Sequence, residues 1–183
     1  MEVLKFILAS FFSHIFVARK DKYMKKYLFL LPFLLLGTLL SAQAPLTMGI
    51  YNKKASKGKT VCVDIYGRDF QQILSMQYSL KWNPKHLKFK EIKGITLPGL
   101  SAQNFGSNKA KDGVLSLAWY DPQLRGITLP DGQTLYQVCF EVLGDAGTKS
   151  YLKFTDVPTP IEVSMGQGVL IGFNSEGGKF EVK

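Results

Sequence analysis

The sequence has few of the residues from which catalytic and metal sites are built. It contains two histidines and two cysteines in 183 residues, and His86 is the one histidine after residue 42. A Ser/His/Asp or Cys/His nucleophile would depend on His86, which follows Pro84 in a predicted loop and which we interpret as a solvated side chain. There is no histidine pair at metal spacing, no C-x-x-C and no Asp-rich calcium loop. We therefore expect no enzyme, no metal and no cofactor.

Carboxylates could still serve a glycoside hydrolase, which needs two acids across a cleft. Five of them lie beside Gly or Pro in turn sequences, where Asp caps the backbone. Asp64 and Glu141 alternate with the apolar positions of predicted strands. We interpret all seven as surface residues, so we rank a hydrolase below the two binding functions described at the end of this section. The five turn carboxylates are Asp112, Asp121, Asp131, Asp145 and Glu176.

Amphipathic helix periodicity is also missing after Pro45. Apolar residues instead alternate with polar ones, which is typical of a strand with one buried face. The clearest strand runs from Leu74 to Trp82. Eight or nine such strands, separated by Gly, Pro and Asn turns, predict an all-β protein of two antiparallel sheets packed face to face. The other strands are predicted near residues 46–50, 61–65, 87–89, 115–120, 136–142, 152–154, 169–173 and 180–182.

The positive charge has no nucleic-acid pattern. Of the formal net charge of +9, residues 1–42 contribute +4 and residues 43–183 contribute +5. The excess is mostly lysine, spread over predicted loops and strand faces without the interleaved aromatic residues of a single-strand binder. We interpret it as a solvated surface and expect no nucleic-acid partner.

Residues 24–44 have the three parts of a secretory signal peptide. Two lysines follow the methionine, residues 27–40 are apolar, and residues 41–44 are small enough for cleavage after Ala42 or Ala44. The sequence therefore predicts a secreted, periplasmic or cell-surface protein whose mature form does not span a membrane.

A second apolar segment, residues 3–18, precedes this leader. Either translation starts at Met24 and residues 1–23 are a miscalled extension, or the segment belongs to a membrane hairpin. It contains Lys5 and is only 16 residues long, whereas a spanning helix needs roughly 20. We favour the start at Met24, with the folded domain at 45–183.

The two cysteines lie on polar strand faces. Cys62 shares a face with Asp64, and Cys139 shares one with Gln137 and Glu141. If the two strands are neighbours in one sheet, an exported protein would form a cross-strand disulfide on the outer surface. The alternative is two free, half-buried thiols.

Aromatic residues can act as stacking platforms for sugars. Trp82 and Trp119 fall on inward faces, so we assign both to the core. Tyr66, Phe105 and Tyr120 are better placed to be exposed, but they form no obvious row.

The order of strands and turns resembles a cohesin module, over about Leu46 to Val182. The family has a strand ending in an aromatic residue and Asn-Pro, a short Leu-containing strand, and later a Phe-bearing strand followed by a Gly turn. The matching segments here are Val61–Ile65, Ile73–Pro84, Leu87–Phe89, Gly113–Trp119, Leu135–Val142 and Gly144–Gly147.

This resemblance implies a nine-stranded jelly-roll sandwich in which the strands of Cys62 and Cys139 are adjacent. It also implies a function, because cohesins bind dockerin modules through the outer surface of the other sheet. We therefore expect a non-catalytic module that binds a dockerin-like or other extracellular protein in a polysaccharide-degrading or adhesion assembly. The alternative is a carbohydrate-binding module that binds polysaccharide directly. The predicted binding face comprises Ser75, Gln77, Ser79, Ala118, Tyr120, Asp121 and Lys153.

Overall fold

The structure, a computed structural model, describes residues 44–183. The predicted extension and all but the last residue of the predicted signal peptide lie outside the described residues. The helices of the described part are three short 3-10 turns at Ala102–Asn104, Ala110–Asp112 and Gly166–Gly168. No helix within residues 44–183 has the length and apolar character to cross a bilayer.

Strands make up most of this domain. Several are long and alternate in burial, as the period-two pattern predicts, while three have only two or three residues. The thirteen strands within residues 44–183 are β1 (Leu46–Ile50), β2 (Lys53–Ala55), β3 (Thr60–Arg68), β4 (Ile73–Lys81), β5 (Leu87–Lys93), β6 (Phe105–Gly106), β7 (Val114–Tyr120), β8 (Gln133–Val142), β9 (Lys149–Thr155), β10 (Glu162–Met165), β11 (Val169–Leu170), β12 (Phe173–Glu176) and β13 (Gly178–Val182).

The strands form two sheets that pack face to face, which confirms the predicted β-sandwich. Sheet one has the order β12-β1-β3-β8-β5. In sheet two, β4 pairs with β7 along one edge, while β10 and β9 share its other edge. Beyond these lie β6 and β11, and β13 and β2 continue the sheet from β9. Most pairs are antiparallel, but β1 pairs with β12 and β2 with β13 in parallel, so both sheets are mixed.

Large aromatic side chains fill the space between the sheets. Tyr78 of β4 and Tyr136 of β8 are fully buried, and their hydroxyl groups hydrogen-bond across the core at 2.9 Å. Both tryptophans are buried as predicted, and their ring N–H groups are satisfied. Trp82 Nε1 donates to the carbonyl of Leu87 at 2.8 Å. A buried N–H without such a partner would cost about 1 to 3 kcal/mol, so these bonds make tryptophan tolerable at core positions.

The first half of β4 departs from the predicted alternation. Ile73 is fully buried, whereas Leu74, predicted to point inward, is only partly buried. The pairing between β4 and β10 shifts register between Ser164 and Met165, and such an irregularity changes which side chains face the core.

The predicted disulfide is confirmed. Cys62 and Cys139 are direct cross-strand partners of β3 and β8 and are covalently joined. Polar side chains neighbour the bridge on the outer surface of sheet one. Gln137 Nε2 donates to Asp64 Oδ1 at 2.6 Å, and Lys53 Nζ lies 2.7 Å from Asp64 Oδ2. Asp64 has a lowered pKa: its partial burial acts to raise it, but the bonds from Lys53 and Gln137 outweigh that effect.

Candidate binding surface

Four of the seven predicted face residues come together on the outer surface of sheet two. Ser75 lies opposite Tyr120 and Gln77 opposite Ala118 in the β4–β7 register. Alternation along both strands turns these side chains away from the core. The Tyr120 side chain is 60% exposed, so its ring is available to a partner. We name these four residues the β4/β7 surface.

Strand β10 adds residues that the sequence did not reveal. Glu162 lies opposite Gln77, and Ser164 lies opposite Ser75 with 2.7 Å between the two hydroxyl oxygens. With only four residues, β10 is too short to show a clear alternation. Its position beside β4 makes the β4/β7 surface the floor of a shallow depression of about 360 Å³.

An exposed apolar side chain lines this depression, and two more are exposed on nearby segments of the chain. Leu170 of β11 lines it together with Tyr120 and is 70% exposed. Its neighbour Val169 is 53% exposed, and Leu124, in the loop after β7, is 69% exposed. Exposed apolar side chains grouped close to polar ones mark candidate protein interaction sites. The sequence did not indicate that Leu170 lies at this depression. It predicted one strand at residues 169–173, whereas this segment divides into β11 and β12 of different sheets.

Asp121 organises a loop instead of facing a partner. Its side chain is 1% exposed. One carboxylate oxygen accepts the backbone N–H of Gln123 at 3.0 Å, and the other accepts those of Arg125 and Gly126 at 2.9 and 3.0 Å. The bond from Gln123 is the main reason why the pKa of Asp121 is lowered. The prediction that Asp121 lies on the exposed face is therefore wrong.

The Ser79 side chain points away from the core as predicted, but a partner protein cannot reach it. It is fully buried, because the connection between β9 and β10 lies over it. Its hydroxyl accepts the backbone N–H of Thr159 at 3.1 Å and lies 3.4 Å from the hydroxyl of Ser116. The expectation that Ser79 is exposed is also wrong.

Lys153 is exposed, as predicted, but belongs to another part of the sheet. It lies opposite Lys81 in the β4–β9 register and lines a separate depression of about 610 Å³. The two depressions share no lining residue. The structure thus brings four predicted residues together, buries two and separates one.

His86 and the acidic residues form no catalytic arrangement within residues 44–183. His86 is partly buried, and its Nδ1 has no hydrogen-bond partner within residues 44–183. In the same part of the chain, no three His, Cys, Asp or Glu side chains are grouped so that they could hold a metal ion.

The aromatic residues differ in part from prediction. Tyr66, predicted to be exposed, is only 8% exposed and stacks on Tyr51 with 4.3 Å between ring centroids. Phe105 is partly buried against Tyr136 at 5.0 Å. Of the three rings expected at the surface, Tyr120 alone is exposed.

Several cohesins of known structure share this architecture. A type I cohesin–dockerin complex from Clostridium thermocellum matches with a TM-score of 0.65 and 18% identity, over 76% of this chain and 100% of the other. The sixth cohesin of Acetivibrio cellulolyticus scaffoldin B, solved with a dockerin, matches with a TM-score of 0.65 and 15% identity over the same shares. This chain has the cohesin fold. No protein-family model matches the sequence, and no curated protein matches it.

The cohesin fold occurs in more than one setting. A non-cellulosomal cohesin from the hyperthermophilic archaeon Archaeoglobus fulgidus is also similar, with a TM-score of 0.57 and 20% identity over 76% of this chain and 92% of that one. The cohesin resemblance inferred from the hydrophobic pattern is therefore confirmed at the level of the fold, and the partner has to be argued from the surface.

Proposed function

We propose that this protein is an exported, non-catalytic cohesin-like module that binds a dockerin or related extracellular protein through its β4/β7 surface. The observation that carries the proposal is the exposed Tyr120 at the edge of a polar floor, on a cohesin fold. Cohesins similar to this chain were solved in complexes with dockerins. By analogy, the assembly that this module would join degrades or adheres to polysaccharide.

The composition of the surface favours a protein partner. Tyrosine is enriched among the residues that dominate binding energy in protein interfaces. Here Tyr120 and Leu170 supply apolar contact, while Ser75, Gln77 and Glu162 supply hydrogen-bonding groups between them. Protein interfaces combine apolar contacts with hydrogen bonds, and this surface offers both to a folded partner.

The disulfide and the leader support export. A cross-strand disulfide persists in an oxidising compartment and is rare in the cytosol. Amino-terminal sequencing of the exported protein should begin at Gln43 or Pro45, as cleavage after Ala42 or Ala44 requires. A precursor that begins before Met24 when signal peptidase is blocked would contradict the assigned start.

The binding test uses protein expressed from the whole 183-residue sequence. A purified type I dockerin and the secreted proteins of the producing organism serve as prey, beside insoluble cellulose and xylan. We expect a protein partner whose affinity falls at least about tenfold with Tyr120→Ala, the loss typical of a hot-spot residue. Gln77→Arg should act similarly, because it places a long charged side chain on the floor.

Tyr151→Ala is the matched control, since Tyr151 is 55% exposed on the same sheet but outside this depression. The placement of the binding surface is wrong if every detected protein contact survives both variants. Binding to the insoluble polysaccharides alone would favour the carbohydrate alternative.

A further inference from the structure

Two lysines lie directly opposite each other on the outer surface of sheet two. Lys81, at the end of β4, is the register partner of Lys153 in β9. Both are exposed and line the same depression. Directly opposed side chains in a sheet have Cβ atoms about 5 Å apart, and like charges in this position destabilise the pair. The sheet thus contains a local electrostatic conflict.

Nearby lysines on this sheet do not share the conflict. Lys54 and Lys179 both contact Glu181, at 3.3 and 3.4 Å. Within residues 44–183, by contrast, neither Lys81 nor Lys153 forms an ion pair with a carboxylate, although Asp112 lines the same depression. A local rule that is broken without compensation is expected mainly at functional positions. The missing counter-charge therefore points to an external anion.

The depression between these lysines has the size and lining of a small-ligand site. Its volume of about 610 Å³ falls in the usual range for ligand sites, roughly 300 to 1,000 Å³. The ring of Tyr151 is 55% exposed at its edge. Asp112 also lines it and can accept hydrogen bonds from hydroxyl groups.

We propose that this depression binds a carboxylated sugar, such as a hexuronate unit of an acidic polysaccharide. Lys81 and Lys153 bind the carboxylate, Tyr151 packs against the face of the pyranose ring, and Asp112 accepts a sugar hydroxyl. We name it the Lys81/Lys153 site. It is independent of the protein-binding surface proposed above, because the two depressions have no residue in common.

The surroundings favour a sugar over an acidic polypeptide. An extended peptide usually binds by adding to a free sheet edge. At the lysine pair both edges of β4 are occupied, by β7 and β9. A peptide cannot add to β4 there, so recognition at the pair must come from side chains that surround a compact ligand.

The test measures binding of tri-galacturonate to the protein expressed from the whole sequence, by calorimetry. Lys153→Gln should weaken binding at least about tenfold, because a charge-assisted hydrogen bond is lost. Tyr151→Ala should weaken it several-fold. Tyr120→Ala should leave it unchanged, as should Lys59→Gln, which removes an exposed lysine elsewhere. Lys153→Gln should also raise the melting temperature of the unliganded protein, because it relieves the repulsion.

Several results would overturn the proposal. One is the absence of tri-galacturonate binding to the wild-type protein. Another is equal weakening of binding by Lys59→Gln, which would show that the loss of affinity comes from the change in net charge alone. Equal binding of the methyl-esterified trimer would show that the carboxylate is not recognised. Binding of poly-glutamate that needs the same lysines but not Tyr151 would assign the site to an acidic polypeptide.

Discussion

At the scale of single residues, position 49 must be a glycine, and its place within strand β1 does not by itself explain why. It lies opposite Tyr66 in the β1–β3 register, and the Tyr66 ring covers it. A Cβ atom at position 49 would be 2.0 Å from Cζ of Tyr66. Glycine is therefore needed for close approach of the ring, not for a turn.

Gly49→Ala should lower the free energy of unfolding by about 2 kcal/mol, the usual cost of overpacking a well-filled position. The displaced ring would also lose its 2.6 Å hydrogen bond to Glu176. Urea denaturation followed by tryptophan fluorescence measures the change. Gly166→Ala is the control, because a Cβ there meets nothing within 4 Å. Equal stability of the two variants would contradict the assigned packing.

Tyr66 also makes stability depend on alkaline pH. Burial, and secondarily its bond to Glu176, raise the pKa of Tyr66 from 10.0 to about 12. Because the folded-state pKa is the higher one, this stabilisation is complete below pH 10 and is lost as the pH rises toward 12. Tyr66→Phe should make the decline of stability with pH less steep. Part of the decline should remain, because burial also raises the pKa values of Tyr78 and Tyr136. The urea midpoint across this range is the measurement. An unchanged slope, equal to that of Tyr120→Phe, would contradict the prediction.

At the scale of elements, one side chain of β4 hydrogen-bonds to the connection between β9 and β10. The hydroxyl of Ser79 accepts the N–H of Thr159. Ser79→Ala should cost about 1 kcal/mol and should increase amide exchange at Thr159 roughly tenfold. Hydrogen exchange detected by NMR measures this directly. Ser116→Ala, which touches Ser79 but not Thr159, should leave the exchange rate unchanged, and the prediction fails if both variants act alike.

The elements also show what local sequence can and cannot predict. Alternation correctly predicted β7 and β8, and the same parity argument turned Cys62 and Cys139 away from the core, while the adjacency of their strands was implied by the cohesin resemblance. It could not predict that β10 inserts beside β4, because four residues carry too little periodicity. Nor could it predict that Ser79 is covered, since its outward direction is correct and the covering segment lies 80 residues away in sequence. Burial of Asp121 had a usable signal, because Asp before Pro in a turn commonly caps the backbone.

At the scale of the whole molecule, the disulfide joins strands that are 77 residues apart. Closing a loop of this length restricts the unfolded chain, which stabilises the folded state by about 4 kcal/mol in the chain-entropy account. Reduction should therefore lower the free energy of unfolding by about this amount. Protein–partner affinity should not change, because the bridge lies on the opposite sheet from the β4/β7 surface.

Denaturant unfolding with and without dithiothreitol tests this expectation. The Cys62→Ala, Cys139→Ala double variant should be insensitive to the reductant. Two titratable thiols in the denatured but unreduced protein would show that the bridge does not form.

The two parallel strand pairs have a consequence for the order in which the protein can fold. Residues 46–49 pair with residues 173–176, and residues 53–55 pair with residues 180–182. Neither sheet can therefore be completed until residues 173–182 have emerged from the ribosome. Such distant contacts make folding slow. Both sheets would then remain incomplete during synthesis, a state compatible with the export proposed above.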